Sequence, residues 1–280
     1  MAVPEGAPSA GALLREWRQR RNLTQLELAL RSAISARHLS FIETGRAQPS
    51  REMVLHLAAR LGVPLRDRNR LLLAAGFAPV FGERSLDERE MAPVREALEQ
   101  FLAAHEPYPA IVVDRHWNVV ASNRGEAYVN RGIAPELRAP PANALRIALH
   151  PDGLASHTSN LADWSGFLLA RLRREIEATG DPELEALYEE LAAYPGVAKE
   201  EDRADAPTPN DIMLKHELHL DDTDLAFFCT FTTFGTARDL TLAELTIIAF
   251  YPANPQTAEA LAAASTKGSP LNRGYHAATA

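Results

Sequence analysis

Between Ala10 and Gly76 the apolar residues recur at the three- and four-residue spacing of amphipathic helices, and polar turn residues interrupt them at intervals. The first stretch places Ala12, Leu13 and Trp17 on one stripe and fills the other positions mainly with polar residues, arginines above all. The pattern continues in the same way to Gly76 and predicts five short helices. We therefore expect an all-α domain at residues 1–80.

The second and third predicted helices carry the clearest start signals. The hydroxyl of Thr24 can cap a helix while Glu27, three residues later, can bond back to the Thr24 amide, which is a capping box. The pattern then breaks at residues 31–34, and Ser35 is placed to cap a third helix that ends at Gly45. Two capped helices separated by about four residues predict a helix-turn-helix.

The third predicted helix has two chemically different faces. At about 100° per residue, Leu39 and Ile42 lie on one face. Arg37, Ser40 and Phe41 point the opposite way. Arginine can bond two acceptors of a guanine, serine can bond a phosphate or a base edge, and an outward phenylalanine can contact a thymine methyl group. This face is therefore predicted to enter a groove of double-stranded DNA.

The balance of basic and acidic residues changes near residue 80, where the predicted all-α domain ends. Residues 1–80 hold 12 arginines and 6 acidic residues, whereas the remaining 200 hold 17 basic and 31 acidic residues, for a net charge of −8. Because the Debye length at physiological salt is only about 8 Å, a basic head can attract a polyanion even on an acidic molecule. The alternative is a purely structural helix bundle whose arginines are solvated surface charges.

The second part of the chain contains strand-like and helical patterns in turn. Branched residues predict a hairpin at 110–114 and 118–122, and further strands are predicted at 211–220, 224–234 and 240–251. The helices predicted between these two sets of strands are a short one capped by Asn123 and three others at 143–149, 160–179 and 182–194. This order is typical of an α+β domain with helices on one face of its sheet.

The composition of the remaining stretches predicts the other domain boundaries. Residues 81–106 turn polar and then carry a capping-box pattern at 85–88, which predicts a connecting helix. The α+β domain is assigned to residues 107–263, and the small, polar stretch 264–280 is predicted to be a flexible tail. The chain is thus expected to be multidomain.

The motifs of the first domain resemble the Xre/Cro-type repressor helix-turn-helix family. The resemblance rests on Thr24-Gln25-Leu26-Glu27-Leu28-Ala29, Ile34-Ser35, Ile42-Glu43-Thr44-Gly45-Arg46 and Pro49-Ser50. It implies that Gln25 lies at the phosphate or base edge and that Ser40 and Arg46 approach the DNA backbone. It implies that the major groove is faced by Ser35, Ala36, Arg37 and Phe41. Ala33 departs from the pattern, since many relatives carry glycine in the turn; a positive φ there costs alanine about 1 kcal/mol.

Parts of the second domain resemble the MmyB-like regulator ligand-binding domain, a family similar in fold to PAS sensors. The matching stretches are 113–123, 143–151, and 160–164 followed by 172–175. The resemblance implies a pocket for a small, apolar, fatty-acid-like effector, and no other cofactor is expected. Bulky apolar walls with a few polar groups are typical of such a pocket. The predicted ligand contacts are Trp117, Asn123, Leu145, Arg146, Leu149, Trp164, Leu168 and Phe228.

Catalytic and metal-binding patterns are absent from the sequence, which has neither a phosphate loop nor a dinucleotide fingerprint. His216 and His219 are three residues apart in a predicted strand, where they face opposite sides, so we expect no zinc site. Asp221, Asp222 and Asp224 lack the glycine and distal glutamate of a calcium loop and predict a solvated turn. The protein is therefore not expected to be an enzyme.

Neither export nor a membrane partner is expected. The amino terminus lacks the basic and apolar regions of a signal peptide, and the lone Cys229 can form no internal disulfide. No uncharged apolar run approaches the roughly 18 residues of a membrane helix. These features predict a cytoplasmic protein.

Together the patterns predict a sequence-specific DNA-binding transcriptional regulator whose second domain senses an apolar small molecule. A homodimer on a two-fold related operator is expected, because one head covers little DNA. An alternative keeps the DNA-binding head but makes residues 107–255 a dimerisation or protein-interaction module with a solid core. A lined cavity of several hundred Å³ would favour sensing over this alternative.

Overall fold

The computed structural model of the 280-residue chain describes residues 8–198 and 213–267. The chain forms two compact units, the first comprising Met1–Glu83 with Ala237–Ala243 and the second comprising Arg84–Thr236 with Glu244–Ala280. Within the described ranges no helix combines the length and the apolar character needed to cross a membrane.

Five helices occupy residues 10–74 of the first unit, as the sequence predicts. They are α1 (Ala10–Arg20), α2 (Gln25–Arg31), α3 (Ala36–Glu43), α4 (Arg51–Arg60) and α5 (Leu65–Ala74). Leu14, Leu28 and Leu39 are fully buried at the centre of this unit. The predicted stripe of the first helix is wrong at Ala12, which is exposed, because Leu14 and not Ala12 shares the buried face with Trp17.

The predicted helix starts are confirmed by their hydrogen bonds. The Thr24 hydroxyl accepts from the Glu27 amide at 3.2 Å, and the Glu27 carboxylate accepts from the Thr24 amide at 2.7 Å, which completes the capping box. The Ser35 hydroxyl caps α3 by accepting from the His38 amide at 3.1 Å. Ala33 has a φ of 53°, so the turn between α2 and α3 does require the left-handed conformation.

A glycine sets the distance between α1 and α3. A Cβ atom built on Gly11 would lie 2.1 Å from the carbonyl oxygen of Ile42, far inside van der Waals contact. Only glycine therefore allows α1 to approach the end of α3 this closely. The contact holds α3 in a defined position within the first unit.

The second unit is α+β, as predicted, and its strands form one antiparallel sheet in the order β2, β1, β5, β4, β3. The strands are β1 (Ala110–Val113), β2 (Val119–Ser122), β3 (His216–Leu220), β4 (Thr223–Thr233) and β5 (Thr246–Pro252). The pairing of β1 with β5 places Ile111 opposite Ile248, so distant segments close the sheet, as expected. The remaining α-helices of the described residues are α6 (Ala92–Ala104), α7 (Arg124–Val129), α8 (Pro135–Arg138), α9 (Ala144–Leu149), α10 (Leu161–Thr179), α11 (Pro182–Ala192), α12 (Leu240–Glu244) and α13 (Pro255–Lys267).

One predicted strand is wrong over the first part of its length. Residues 240–244 form α12, and only Thr246–Pro252 form a strand. The Asp239 carboxylate accepts from the Thr241 amide at 3.0 Å and so caps the helical turn. This local cap decides the conformation of a segment whose composition also suits a strand.

The helix predicted for residues 81–106 begins later than expected. The Glu88 carboxylate accepts from the Ser85 amide at 2.9 Å, as in a capping box, but a turn follows. The α-helix itself starts at Ala92, after a short 3₁₀ turn, with Pro93 in its first turn, where proline is favoured because no backbone donor is needed there.

Two predictions near the ends of elements fall partly outside the described residues. The predicted tail 264–280 begins inside α13, which extends to Lys267, and its remaining residues are not described. The strand predicted from residue 211 begins at His216, and residues 211 and 212 are not described. The alanine-rich composition of 255–267 favours helix, with Pro255 at its first position.

The sheet is covered on both faces at β1, and not on one face as predicted. Successive side chains of a strand point to opposite faces, yet all four residues of Ala110–Val113 are buried. Helix α6 contacts β1, while Ile111 and Val113 belong to a buried cluster with Trp164 and Leu168 of α10. A partly open cavity lies between the sheet and helices α7, α9 and α10.

Candidate functional site

The outward face of α3 and the turn that follows the helix present two cations around a phenylalanine. The guanidinium carbon of Arg37 lies 5.3 Å from the centre of the Phe41 ring, and that of Arg46 lies 6.0 Å from it. Both arginines are exposed, and neither has an ion-pair partner within the described part of the chain. Two such cations beside a half-buried ring can contact phosphate oxygens and base edges.

A buried polar network joins α1, α2 and α3 beneath this face. Arg18 donates to the Glu43 carboxylate at 2.7 and 2.9 Å, and Gln25 donates to the same carboxylate at 2.7 Å. The hydrogen bond to Glu43 raises the pKa of Arg18 above its usual value. An amide nitrogen carries two N–H groups, so Gln25 is oriented by Glu43 and keeps a second donor for a phosphate or a base.

The other predicted DNA contacts lie on α3 or at its start. Ser35 is exposed at the helix cap, whereas Ala36 and Ser40 are half-buried. The His56 ring of α4 contacts the Ser32 carbonyl at 2.8 Å and thereby supports the turn between α2 and α3. The roles of these residues on DNA stay predictions.

An apolar cavity of about 70 Å³ lies inside the second unit. Since a site needs roughly 10–15 Å³ to hold one water molecule, this volume fits only a few small groups. Its polar side chains are Glu126, Asn130 and His216, and the Trp164 ring also lines it. The fifteen lining residues are Pro109, Ile111, Val119, Glu126, Val129, Asn130, Ala144, Ile147, Ala148, Leu154, Trp164, His216, Leu218, Phe227 and Phe250.

Trp164 and His216 stack in the wall of the cavity. Their ring centres are 4.3 Å apart and their planes differ by 5°. Burial lowers the pKa of His216 to about 3, so its ring is neutral near pH 7, and its Nε2 atom lies 3.2 Å from the Thr158 hydroxyl. The indole nitrogen of Trp164 is buried and has no hydrogen-bond partner among the residues described.

Glu126 supplies the other ionisable group of the cavity. The Asn130 amide donates to its carboxylate, and Ser122 and Arg138 also stabilise the charged form. Burial outweighs these interactions and raises the pKa of Glu126 above its usual value. The lining therefore contains no cation and favours the uncharged forms of both its ionisable groups.

The structure brings one of the eight predicted ligand contacts, Trp164, to the cavity wall. Trp117, Leu145, Leu149 and Leu168 are buried in the adjoining core cluster and do not line the cavity. All five residues thus lie in the same part of the second unit, and four of them fill its interior.

The other three predicted ligand contacts have partners away from the cavity. The Asn123 carbonyl oxygen accepts from the Ala110 amide at 3.0 Å. Arg146 donates to the Glu190 carboxylate at 2.8 and 2.7 Å. Phe228 stacks on a tyrosine ring of β5 with 5.2 Å between the ring centres. A direct ligand contact by any of these side chains stays a prediction.

One group of side chains in the described ranges has the spacing of metal ligands. His116, Asp181 and Glu183 each offer a donor atom within 4.8 Å of the others. The two His116 ring nitrogens already lie 3.1 Å from Asp181 and 3.4 Å from Glu183. Arg115 lies 3.3 Å from Asp181. With a guanidinium beside its carboxylate, the group is an ion-pair cluster.

The histidines of β3 face opposite sides of the sheet, as predicted. His216 is buried, whereas His219 is exposed with its Nδ1 atom 2.7 Å from the Asp224 carboxylate. Asp221 and Asp222 form the turn between β3 and β4 with φ values of 45° and 61°. The predicted solvated turn is therefore confirmed.

The sequence patterns missed the polar residues that the fold buries. Arg18 follows Leu14 by four residues on the buried stripe of α1, and an arginine at such a position was a signal for a buried acidic partner. No local pattern marked Glu126, and His216 was considered only as a metal ligand. The environments of these two side chains arise from elements far apart in the chain.

Two family models match the chain. The helix-turn-helix model matches residues 14–67, which run from α1 into α5. The model of the MmyB-like transcription regulator ligand binding domain matches residues 94–264, which run from α6 into α13 and make up more than half of the chain. Both predicted resemblances are confirmed.

Similar proteins are also regulators. HTH-type transcriptional regulators of Mycobacterium bovis and Mycobacterium tuberculosis are 27% identical over 210 residues, which cover 66% of this chain and 74% of theirs. The HTH-type transcriptional regulator RghRB of Bacillus subtilis is 37% identical over 103 residues, which cover 36% of this chain and 66% of that protein. The crystal structure of the clp gene regulator ClgR of Corynebacterium glutamicum covers 35% of this chain and 90% of its own at 29% identity, and its TM-score of 0.21 is too low to carry an argument.

The family models and the names of the relatives describe regulators and not enzymes, in agreement with the sequence. The two matched ranges also coincide with the helical head and with the α+β unit that holds the cavity. The chain belongs to the family of DNA-binding transcription regulators that join a helix-turn-helix domain to an MmyB-like ligand-binding domain.

Proposed function

We propose that α3 reads a double-stranded DNA operator and that the cavity receives a small, mostly hydrocarbon, fatty-acid-like effector. The observation that carries the proposal is the apolar cavity inside the ligand-binding domain. The antiparallel sheet and the helices around this cavity also support a PAS-like sensor. A ligand shifts a regulator only by binding its two states with different affinity, and a typical coupling of about 1–3 kcal/mol changes operator affinity about 5- to 150-fold.

The DNA half of the proposal rests on the exposed side of α3. Arg37 and Phe41 lie on this side, and Arg46 follows the end of the helix. Gln25 at the start of α2 is oriented toward Glu43 at the end of α3. Arg37 is expected to contact a base and Arg46 a phosphate, because a basic helix in the major groove divides its contacts in this way.

Two arginine variants test this orientation. Arg37→Ala is expected to lower the discrimination between operator and random DNA by about 1–3 kcal/mol. Arg46→Ala should weaken binding to all sequences and reduce the salt slope by about one unit. Arg60→Ala removes the same charge from an exposed position on α4 and is the matched control.

The measurement is a fluorescence anisotropy titration of the full chain at several salt concentrations. The operator is first selected from a random DNA library. Equal losses of discrimination in Arg37→Ala and Arg60→Ala would show that this face of α3 does not read bases.

We infer a homodimer on a two-fold related operator, because a single helix-turn-helix head covers little DNA and regulators of this kind bind paired half-sites. Native mass spectrometry of the full chain counts the subunits with and without the selected operator. One subunit per operator in every spectrum would contradict the dimer.

The effector half is tested by filling the cavity. Extracted cellular lipid is expected to change the operator affinity of the wild type by at least about fivefold. Ala148→Phe places a ring in the cavity lining and should abolish this response. Ala162→Phe adds the same ring at an exposed position of α10 and should retain the response. Identical operator curves with and without lipid in all three proteins would remove the sensing function.

The cavity volume favours a second candidate. At about 70 Å³ it falls short of the roughly 300–1,000 Å³ of ligand pockets. Under this candidate, residues 107–255 are a dimerisation or protein-interaction module without a ligand. Such a module leaves operator affinity insensitive to lipid, whereas removal of residues 107–280 changes the subunit count.

A further inference from the structure

A segment from the second half of the chain belongs to the first unit. Ala237–Ala243 lie between β4 and β5 in the sequence, yet they form part of the same compact unit as Met1–Glu83. The chain therefore passes between the two units three times, after Glu83, after Thr236 and after Ala243. Two domains joined in simple succession need only one such passage. We call Ala237–Ala243 the anchor segment.

The anchor segment is fixed inside the first unit by its backbone and by one leucine. The Leu240 amide donates to the Gly82 carbonyl at 2.8 Å, and Gly82 and Asp239 form a parallel β-bridge. The Leu240 residue is only 3% exposed, and Asp239 is also buried. Connections between strands usually run over the surface, so a connection with a buried leucine and paired backbone groups is a fixed part of the head.

The residues that bind the anchor segment are themselves bonded to α5. The Asn69 side chain of α5 accepts from the Val80 and Phe81 amides at 3.0 and 3.2 Å. It also donates to the Phe81 carbonyl at 2.8 Å, and Asn69 is buried. Helix α5 contacts α1, and α1 contacts α3. Packed elements thus connect the anchor segment with the helix that is proposed to read DNA.

The strands on either side of the anchor segment line the cavity. Phe227 of β4 and Phe250 of β5 belong to the cavity wall. The two strands stay paired as far as Thr233 and Thr246, close to the anchor segment. At about 3.3 Å per residue, the path along β5 from Phe250 to Thr246 is about 13 Å. Because β5 is paired with β1 on one side and β4 on the other, it moves as part of the sheet.

We propose that the anchor segment transmits occupancy of the cavity to the DNA-binding head, and this inference rests on the proposed function. An effector in the cavity changes the placement of β4 and β5, and these strands change how the anchor segment packs on residues 80–82. The head is thereby biased between two arrangements, to which the effector and the operator bind with different affinity. Any effector that enters the cavity can act in this way, whatever the charge of its exposed end.

Two variants disrupt the anchor segment from opposite sides. Leu240→Pro removes the amide donor to Gly82, and α12 tolerates proline at Leu240 because this is the first residue of the helix. Asn69→Ala removes the hydrogen bonds that hold residues 80–81 on α5. Arg238→Ala changes an exposed residue of the anchor segment and is the control.

The operator affinity of each full-length protein is measured by fluorescence anisotropy with and without extracted cellular lipid. Native mass spectrometry measures the lipid that each protein retains. In the wild type and in Arg238→Ala, lipid is expected to change operator affinity by at least about fivefold. In Leu240→Pro and Asn69→Ala this change should fall below about twofold although lipid is still retained. In the wild type, lipid should also alter the amide hydrogen exchange of peptides from residues 237–243.

A full lipid response in both Leu240→Pro and Asn69→Ala would overturn the inference and leave the proposed sensing function intact. If Leu240→Pro does not fold, Asn69→Ala decides alone. Loss of the retained lipid together with the response would also overturn the inference, because the variants would then act on the cavity. So would unchanged exchange of residues 237–243 in a wild type whose operator affinity responds. If the wild type itself shows no response to lipid, the proposed function fails and the transmission fails with it.

Discussion

Each unit of the molecule contains a carboxyl group that is largely removed from solvent, and the surroundings of the two groups have opposite effects on their charge. In the first unit Glu43 accepts two hydrogen bonds from Arg18 and one from Gln25. In the second unit Glu126 accepts from the Asn130 amide at the wall of an apolar cavity, and burial raises its pKa. In the first unit the Arg18 cation pairs with the Glu43 carboxylate, whereas in the second unit burial favours the uncharged form of Glu126.

This difference agrees with the function proposed for each unit. A surface that reads DNA, as proposed for α3, must hold its side chains in one geometry, and hydrogen bonds of Arg18 and Gln25 to Glu43 join α1, α2 and α3. The proposed ligand cavity has a mostly apolar lining, and burial favours the uncharged forms of its two ionisable groups, Glu126 and His216. A buried ion pair with its hydrogen bonds therefore joins the helices of the first unit, whereas the second unit surrounds an apolar cavity.

The largest effect is expected for Glu43→Ala. The variant leaves the Arg18 guanidinium buried and unpaired, so the free energy of unfolding of the first unit should fall by about 3–5 kcal/mol. The measurement is a denaturant titration of the full chain followed by circular dichroism. Glu16→Ala, which removes an exposed partner of Arg20, should lower the free energy by less than about 1 kcal/mol. Similar losses in both variants would show that the network does not stabilise the head.

An intermediate effect is expected from His216, and it depends on pH. Its folded pKa of about 3 lies below the ordinary value of 6.5, so between these values the unfolded chain binds a proton that the folded chain does not. Stability should therefore fall as pH falls from about 6.5, by up to roughly 1.4 kcal/mol per pH unit. His216→Phe, which keeps a ring beside Trp164, should remove this contribution in denaturant titrations at pH 6.5 and 5.

Glu126 provides a control of opposite sign for that measurement. Its folded pKa is raised above the usual 4.5, so between these values the folded chain binds a proton that the unfolded chain does not, and stability rises as pH falls through the folded pKa toward 4.5. Glu126→Gln should therefore steepen the acid loss of stability, whereas His216→Phe should flatten it. The same slope in wild type and His216→Phe would contradict the buried, neutral histidine.

The smallest effect is expected for Ala33→Gly. Alanine has a φ of 53° at this position, which glycine adopts without strain, so the substitution should stabilise the head by about 1 kcal/mol. Ala59→Gly, at an exposed position inside α4, should destabilise it by about the same amount because glycine disfavours helix. Thermal unfolding compares the two, and a loss of stability in Ala33→Gly would contradict the strained turn.

Much of the first unit could be predicted from short stretches of sequence. Thr24 and Glu27 are three residues apart, and their reciprocal bonds form in the structure as expected. Ser35 caps α3, and the strain expected at Ala33 is present. Such features depend on neighbours within one or two turns of helix, which the sequence lists in order. The same approach wrongly predicted a strand for residues 240–244, because the helix cap formed by Asp239 was not recognised.

The order of residues along the chain determined the helix starts, the head with its exposed Arg37 and half-buried Phe41, and the resemblance of both domains to their families. Only the tertiary structure decided that Arg18 and Glu43 form a buried pair and that Glu126, Trp164 and His216 line one cavity. The physical reason is that burial and the lack of a hydrogen-bond partner depend on every element packed around a group. In the cavity these elements extend from Pro109 to Phe250 along the chain.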